Sequence, residues 1–224
     1  MFDKICKAYD IGAYQGSYTD FLLSRGAQHV YTFEPNQDLY ERLKIKYENN
    51  DRVTVYNCLV GDKNEKKPFY RAKYHHTIST ASQDFLESSR FSGKADENKV
   101  PYEWHAPVDT DCFKLDTIFK NTGQPDFIKI DAEGFESEII SGMTQIKSSL
   151  VVTFEIHEEF LHKFKQCINH LHDVGFTRFG MVEGDSPEHV PTIMHSFNSF
   201  YEQIGLVFPT LNKEYFGMAF AQHG

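Results

Sequence analysis

Four short runs of residues hold the groups best suited to chemistry. Asp10-Ile-Gly-Ala-Tyr-Gln-Gly16, with Tyr18 and Thr19 behind it, combines a carboxylate with two glycines, and Phe33-Glu34-Pro35 adds a second acid. The run Phe127–Glu136 holds Lys129, Asp131 and Glu133, and Phe154-Glu-Ile-His157 repeats the theme with Glu155 and His157. Gly12 and Gly16 lack Cβ atoms, so backbone there can approach a ligand closely. Glu34 stands 24 positions after Asp10, a spacing at which an acid can accept hydrogen bonds from two ribose hydroxyls. His157 has a side chain that titrates near neutrality and suits removal of a hydroxyl proton.

Those groups work together only if the fold brings them to one edge. Apolar, β-rich runs at 5–11, 28–33, 53–60, 127–130, 150–156, 176–182 and 216–221 alternate with helical patterns. The helices fall at 18–24, 38–48, 115–119, 136–146 and 158–174, with Asn36 as N-cap of the second. This alternation calls for an α/β, doubly wound, mainly parallel sheet with helices on both faces, in which ligands bind at the carboxyl edge. Period-two alternation puts Lys129 and Asp131 on one face, and Glu155 and His157 likewise. A lysine on a buried strand needs a counter-charge, so Lys129 reads equally as a catalytic group or as a structural ion pair with Asp131, Glu133 or Glu155. Residues 1–224 read as one domain, with long segments 70–111 (helical at 81–88) and 183–214 covering the active site from the sheet edge.

The ligand class follows partly by exclusion. Counting from Gly12, the later glycines of a dinucleotide fingerprint are replaced by Tyr14 and Ser17, which disfavours an NAD(P)-dependent oxidoreductase. There is no Gly-Lys-Ser/Thr, and Asp10 would repel a polyphosphate; it suits the ammonium and sulfonium of S-adenosylmethionine (SAM). A net charge of −9 without a basic run disfavours nucleic acid as a partner. No apolar run nears the length of a membrane span and no signal-peptide core is visible, so the expectation is a soluble, cytoplasmic chain without membrane contact. Four scattered cysteines read as reduced thiols. His157 and His162 are one residue too far apart for His-Glu-x-x-His, so no zinc motif is assigned there.

The motifs Asp10–Thr19, Phe33–Pro35, Leu59-Val-Gly-Asp62, Leu115-Asp116, Lys129-Ile-Asp-Ala-Glu-Gly-Phe-Glu136 and Glu155-Ile-His157 occur in the order found in the FkbM methyltransferases, which this chain resembles from about residue 8 to 158. The resemblance implies a class I methyltransferase (Rossmann-like) sheet of seven strands, the last antiparallel. It also implies SAM-dependent methyl transfer, usually to a hydroxyl of a sugar or other small molecule. Asp10, Gly12, Ala13, Gln15, Gly16 and Tyr18 would frame the methionine part, Glu34 and Pro35 the ribose, and Asn57, Leu59, Val60 and Asp62 the adenine. Asp131 or His157 would be the base, oriented by Glu133 and Glu155; alternatively Asp131 and Glu133 would hold Mg²⁺. The competing reading is a non-catalytic SAM- or nucleoside-binding module.

Overall fold

The central strands are buried on both sides almost throughout, and the sheet they form has two chemically different faces. The computed structural model describes residues 5–146, 149–208 and 215–224. In chain order the elements are β1 (Lys7–Ile11), α1 (Ser17–Ser24), β2 (His29–Phe33), α2 (Gln37–Tyr47), β3 (Val53–Tyr56), β4 (Leu59–Gly61), β5 (Glu65–Phe69) and α3 (Gln83–Ser88). There follow β6 (Val108–Lys114), α4 (Leu115–Thr122), β7 (Phe127–Ile130), α5 (Glu136–Ser141), β8 (Val151–His157), α6 (Leu161–Asp173), β9 (Phe176–Glu183), α7 (Phe197–Val207) and β10 (Phe216–His223). Seven strands form one sheet in the order β3-β2-β1-β7-β8-β10-β9, parallel except for β10, which runs antiparallel to both neighbours. This is the class I methyltransferase arrangement expected from the sequence.

One face of this sheet is apolar throughout. Tyr9, Ile11, Ile128, Ile130, Val152, Phe154 and Ile156 pack there with residues of α4, α5, α6 and α7. On the other face, Ala8, Val30, Phe127 and Val151 pack against Tyr18 and Leu22 of α1. Further along the same strands that face turns ionisable, because Asp10, Lys129, Glu155 and His157 continue the alternation of Ala8, Phe127 and Val151. The polar groups thus gather toward the carboxyl edge by strand parity alone.

Four expectations need correction. The strand expected at 53–60 breaks at Asn57, whose Nδ2 donates to the carbonyls of Glu34 (2.9 Å) and Pro35 (3.1 Å). Leu59–Gly61 then leaves the main sheet and joins a three-stranded sheet of order β4-β6-β5. That sheet takes β5 from just before the segment expected at 70–111 and β6 from its C-terminal end; Pro68, on edge strand β5, concealed it. The helix expected to reach 146 stops at Ser141, where the N–H groups of Gly142 and Met143 turn back to the carbonyls of Ile139 and Ile140; Gly142 lies so close to Gly61 that a Cβ on it would be 2.0 Å from the Gly61 carbonyl oxygen. Finally, the 183–214 segment is not all cover for the sheet edge: Phe200, Ile204 and Phe208, in and just after α7, pack into the apolar core, Phe200 and Phe208 against Phe164. Residues 209–214 of that segment lie outside the described residues. Among the described residues no helix is long and apolar enough to cross a membrane.

Gly16 caps α1 in the left-handed region (φ 79°), and a Cβ on it would stand 2.5 Å from the Tyr47 hydroxyl and 2.9 Å from Leu43. Gly16→Ala is therefore expected to destabilise the protein by about 2–3 kcal/mol, from backbone strain plus displacement of α2. Chemical denaturation measures it; an unchanged midpoint would show that α1 and α2 are not locked at this contact.

Candidate functional site

The loops that leave β1, β2 and β7 converge with the end of β8 around a cavity of about 420 Å³. Gly12, Ala13, Tyr14, Ser17 and Tyr18 form the wall that follows β1, and Phe33, Glu34 and Pro35 the wall that follows β2. Asp131, Ala132 and Glu133 come from the end of β7, Glu155 from β8 and Met218 from β10. The opposite side is closed by Leu59, Val60, Phe69, by His76, Thr77, Ser79 and Ala81, and by Asp185, Ser186 and Pro187.

Glu34 is 5% exposed, and its two oxygens accept from the backbone N–H groups of Tyr14 (2.8 Å) and Asn36 (2.9 Å). Burial pushes its carboxyl up to about 7, against the lowering effect of those two donors. A carboxylate offers about four lone-pair sites, so two remain for a ligand. Tyr14 adopts a left-handed backbone (φ 51°), which keeps its N–H on Glu34.

Lys129 is buried at the centre of the polar face, and its ladder partner on β1 is Asp10. Its Nζ lies 3.4 Å from Asp10, 3.4 Å from Asp131 and 2.8 Å from the Gly12 carbonyl, to which it donates. Burial works to lower the Lys129 pKa, but the charges of Asp131 and Asp10 outweigh it and hold the ammonium above its ordinary range. Asp10 is fully buried and also accepts from the Thr19 hydroxyl (2.7 Å), which fastens α1 to β1. The backbone of the two loops is in contact as well: a Cβ on Gly12 would fall 1.7 Å from the Asp131 carbonyl oxygen.

The loop after β7 is held from several sides. Glu136 accepts from the N–H groups of Ala132 (2.8 Å) and Gly134 (3.3 Å), and the Thr80 hydroxyl donates to the Glu133 carbonyl (2.7 Å). Glu133 sits at φ 51° within this frame. Its carboxyl is pushed well above the usual range by burial and then by the charges of Glu155 and Asp131. Glu155 is raised to about 7 by burial and Asp131, although His157 pulls it down. Burial lowers the His157 pKa, but Glu155 and Glu136 outweigh it and raise it to about 9. His157 Nε2 is 3.0 Å from Glu155 and 3.8 Å from Glu133.

Of the residues singled out in the sequence, Gly12, Ala13, Tyr18, Glu34, Pro35, Leu59, Val60, Lys129, Asp131, Glu133 and Glu155 line the cavity. Asp10, Gln15, Gly16, Asn57, Asp62 and His157 are not part of its lining. Asp10 lies behind Lys129, Gly16 packs against α2, Asn57 braces the Glu34–Pro35 backbone, and Gln15 is exposed. His157, proposed as a base from sequence, is instead the buried partner of Glu155, with its ring against Phe85 and Phe160. The pairing of Asp131 with Glu133 as metal ligands also changes: the convergent group is Glu133, Glu155 and His157, while Asp131 faces Lys129. Tyr14 and Ser17, read in sequence only as obstacles to a dinucleotide, form part of the wall. Cys58, His76 and Asp185 belong to it too, brought in by a strand break and by connections that carry no local motif, as does Met218 from β10.

A family model described as the methyltransferase FkbM domain matches residues 10–195, most of the chain. Among solved structures, the chain is similar to a methyltransferase FkbM from Methylobacillus flagellatus KT, at 15% identity and a TM-score of 0.52. The alignment covers 96% of this chain and 43% of that one, so this chain spans less than half of that protein's length. It is also similar to a precorrin-6y C5,15-methyltransferase from Geobacter metallireducens GS-15 (13% identity, 99% and 81% covered, TM-score 0.48). A third is the N-methyltransferase NodS from Bradyrhizobium japonicum WM9 in complex with S-adenosyl-L-homocysteine (9% identity, 98% and 78% covered, TM-score 0.44). Among curated proteins none matches.

Two outcomes follow from this electrostatic frame. Lys129→Met leaves Asp10 buried without its cation and is expected to cost about 3–5 kcal/mol. Adding Asp10→Asn should restore much of that loss, and strict additivity in denaturant titrations would show the pair to be uncoupled. Glu34, raised from 4.5 to about 7 on folding, is neutral in both states at low pH and resists ionisation in the folded state. Its contribution to the ligand-free protein therefore falls as pH rises from about 4.5 to 7, by on the order of 3 kcal/mol. Glu34→Gln should remove that part of the pH dependence; identical stability profiles for both proteins would contradict it.

Proposed function

This chain belongs to the FkbM methyltransferase family, and on that footing we propose that it transfers a methyl group from SAM to a hydroxyl oxygen of a small molecule or sugar. The observation that carries the reading is one cavity with the Glu34 carboxylate on one wall and Asp131, Glu133 and Glu155 on another. When bound there, SAM supplies an already electrophilic methyl group on a sulfonium. The chain's own residues fit such a guest. The two unused acceptor sites of Glu34 suit a ribose diol, and Leu59 and Val60 offer an apolar surface for a base. Gly12 has no side chain to obstruct the methionine end. The excess of carboxylate over ammonium around Lys129 favours a cationic ligand.

With the methyl group activated beforehand, orientation and exclusion of water are the main tasks of the protein. Correct alignment of two reactants is worth up to about 7–11 kcal/mol of barrier. Asp131 is the most open of the three carboxylates, its side chain 29% exposed against 15% for Glu133 and 10% for Glu155. It also has Lys129 as a counter-ion. We assign it to accept the proton of the attacking hydroxyl. The connections at His76–Ala81 and Asp185–Pro187 supply the wall that an acceptor would meet, and in this reading they set its identity.

Calorimetry with SAM and, separately, NADH tests the cofactor: SAM should bind and NADH should not, and the reverse result overturns the reading. Glu34→Ala should weaken SAM binding about 10- to 100-fold, the equivalent of one or two charge-assisted hydrogen bonds. Asp131→Asn should lower methyl transfer from labelled SAM to hydroxylated acceptors by about 100- to 10,000-fold while leaving SAM affinity within a few-fold. Equal small losses in both would reduce Asp131 to a structural role.

A further inference from the structure

The arrangement of Glu133, Glu155 and His157 is poorly explained as an ion pair. His157 is 7% exposed and the Glu155 side chain 10%, and the two approach to 3.0 Å. Yet neither His157 Nε2 nor Glu155 Oε2, both removed from solvent, makes an aligned hydrogen bond with any partner. Such groups normally find partners, because an unsatisfied buried donor or acceptor carries its full desolvation penalty. Among the described residues, His157 is also the one cation within 4.0 Å of either carboxylate. With only one imidazolium against two carboxylates, burial and repulsion hold the Glu133 carboxyl in its protonated form, and a bound cation would displace that proton.

We propose that Glu133, Glu155 and His157 form a binding site for a divalent first-row transition ion, of the zinc or manganese class, on the acceptor side of the cavity. One ligand atom from each residue lies within 4.8 Å of the others, so the three converge on a common point. Two ligands about 2.1 Å from such an ion, at cis or tetrahedral angles, stand roughly 3.0–3.4 Å apart. The Glu155–His157 separation of 3.0 Å already falls in this range, and the 3.8 Å from Glu133 to His157 reaches it with a shift of about half an ångström. The imidazole selects against Mg²⁺ and Ca²⁺, which prefer all-oxygen shells.

The surroundings suit this role. Glu155 and His157 share a face of β8 and are held there by its ladder with β10, where they stand opposite Met218 and Phe216. Phe85 and Phe160 wall off the His157 ring, their centroids 5.9 and 6.3 Å from it, so solvent is kept from the histidine side of the site. Glu133 and Glu155 both border the cavity, which leaves the open coordination positions facing it. There an ion would take an acceptor oxygen and lower the pKa of its proton. That last role rests on the methyltransferase reading; binding of the ion does not.

The test uses the purified, tag-free chain after chelator treatment and dialysis, without SAM. Zn²⁺ and Co²⁺ are titrated by calorimetry, and the visible bands of Co²⁺ are recorded. The expected result is one equivalent bound, with Co²⁺ bands of a site containing nitrogen and oxygen ligands and a higher melting temperature. Glu155→Gln and His157→Gln, each checked for folding by circular dichroism, should weaken binding about 10- to 100-fold or more. No binding by the native chain overturns the proposal, as does binding that both substitutions leave unchanged or binding of Mg²⁺ in preference to Zn²⁺. The native titration decides the matter even if a variant fails to fold. SAM binding measured separately shows whether the methyltransferase reading fails on its own.

Discussion

The site depends on one buried ammonium. Lys129 stands between Asp10 on the neighbouring strand and Asp131 at the end of its own, and it donates to the carbonyl of Gly12. An isolated charge at that depth would cost several kcal/mol, so lysine and acids are tolerable only together. Because the partners belong to different strands, the same interaction that neutralises Lys129 fixes the loop after β1 against the loop after β7. Gly12, with no room for a Cβ beside the Asp131 carbonyl, records how closely these loops are drawn together.

The rest of the polar face is arranged around this clamp. Strand parity carries Glu155 and His157 to the same side as Lys129, and the loop bearing Glu133 is braced by Glu136, Thr80 and the backbone contact with Gly12. Acidic groups accumulate faster than cations, which is why burial and mutual repulsion raise Glu133 and Glu155 together. The aromatic cluster of Phe85, Phe160 and their neighbours deepens the effect by keeping water from one flank. The region is therefore prepared for positive charge, whether from a sulfonium or from a metal ion.

Much of this was legible in the sequence because strand alternation and motif order are local. The shared faces of Lys129 with Asp131 and of Glu155 with His157 follow from period-two reasoning, the parallel strands from the alternation of β and helical runs, the Asn36 cap from residue preference and Glu34 from its spacing after Asp10. What escaped was set by contacts between distant segments. The break after Tyr56 depends on Asn57 reaching back to Glu34, and β4 depends on finding β6 some fifty residues later. α7 was hidden inside a segment read only as cover, although the three- and four-residue spacing of Phe197, Phe200, Tyr201, Ile204 and Phe208 is that of a core-facing helix. His157 could be placed at the edge but not behind Glu155, since depth within a cleft has no signal in a single strand.

The strand order also has a consequence for how the protein is made. β9 bonds to the sheet only through β10, which inserts between it and β8. A nascent chain that has emerged only as far as β9 therefore leaves β8 with an unpaired edge and β9 with no ladder partner, each a template for illicit pairing with a sister chain. Met218 of β10, opposite Glu155 in the ladder, is among the last wall residues to arrive, so the pocket opens for business only after translation has passed it.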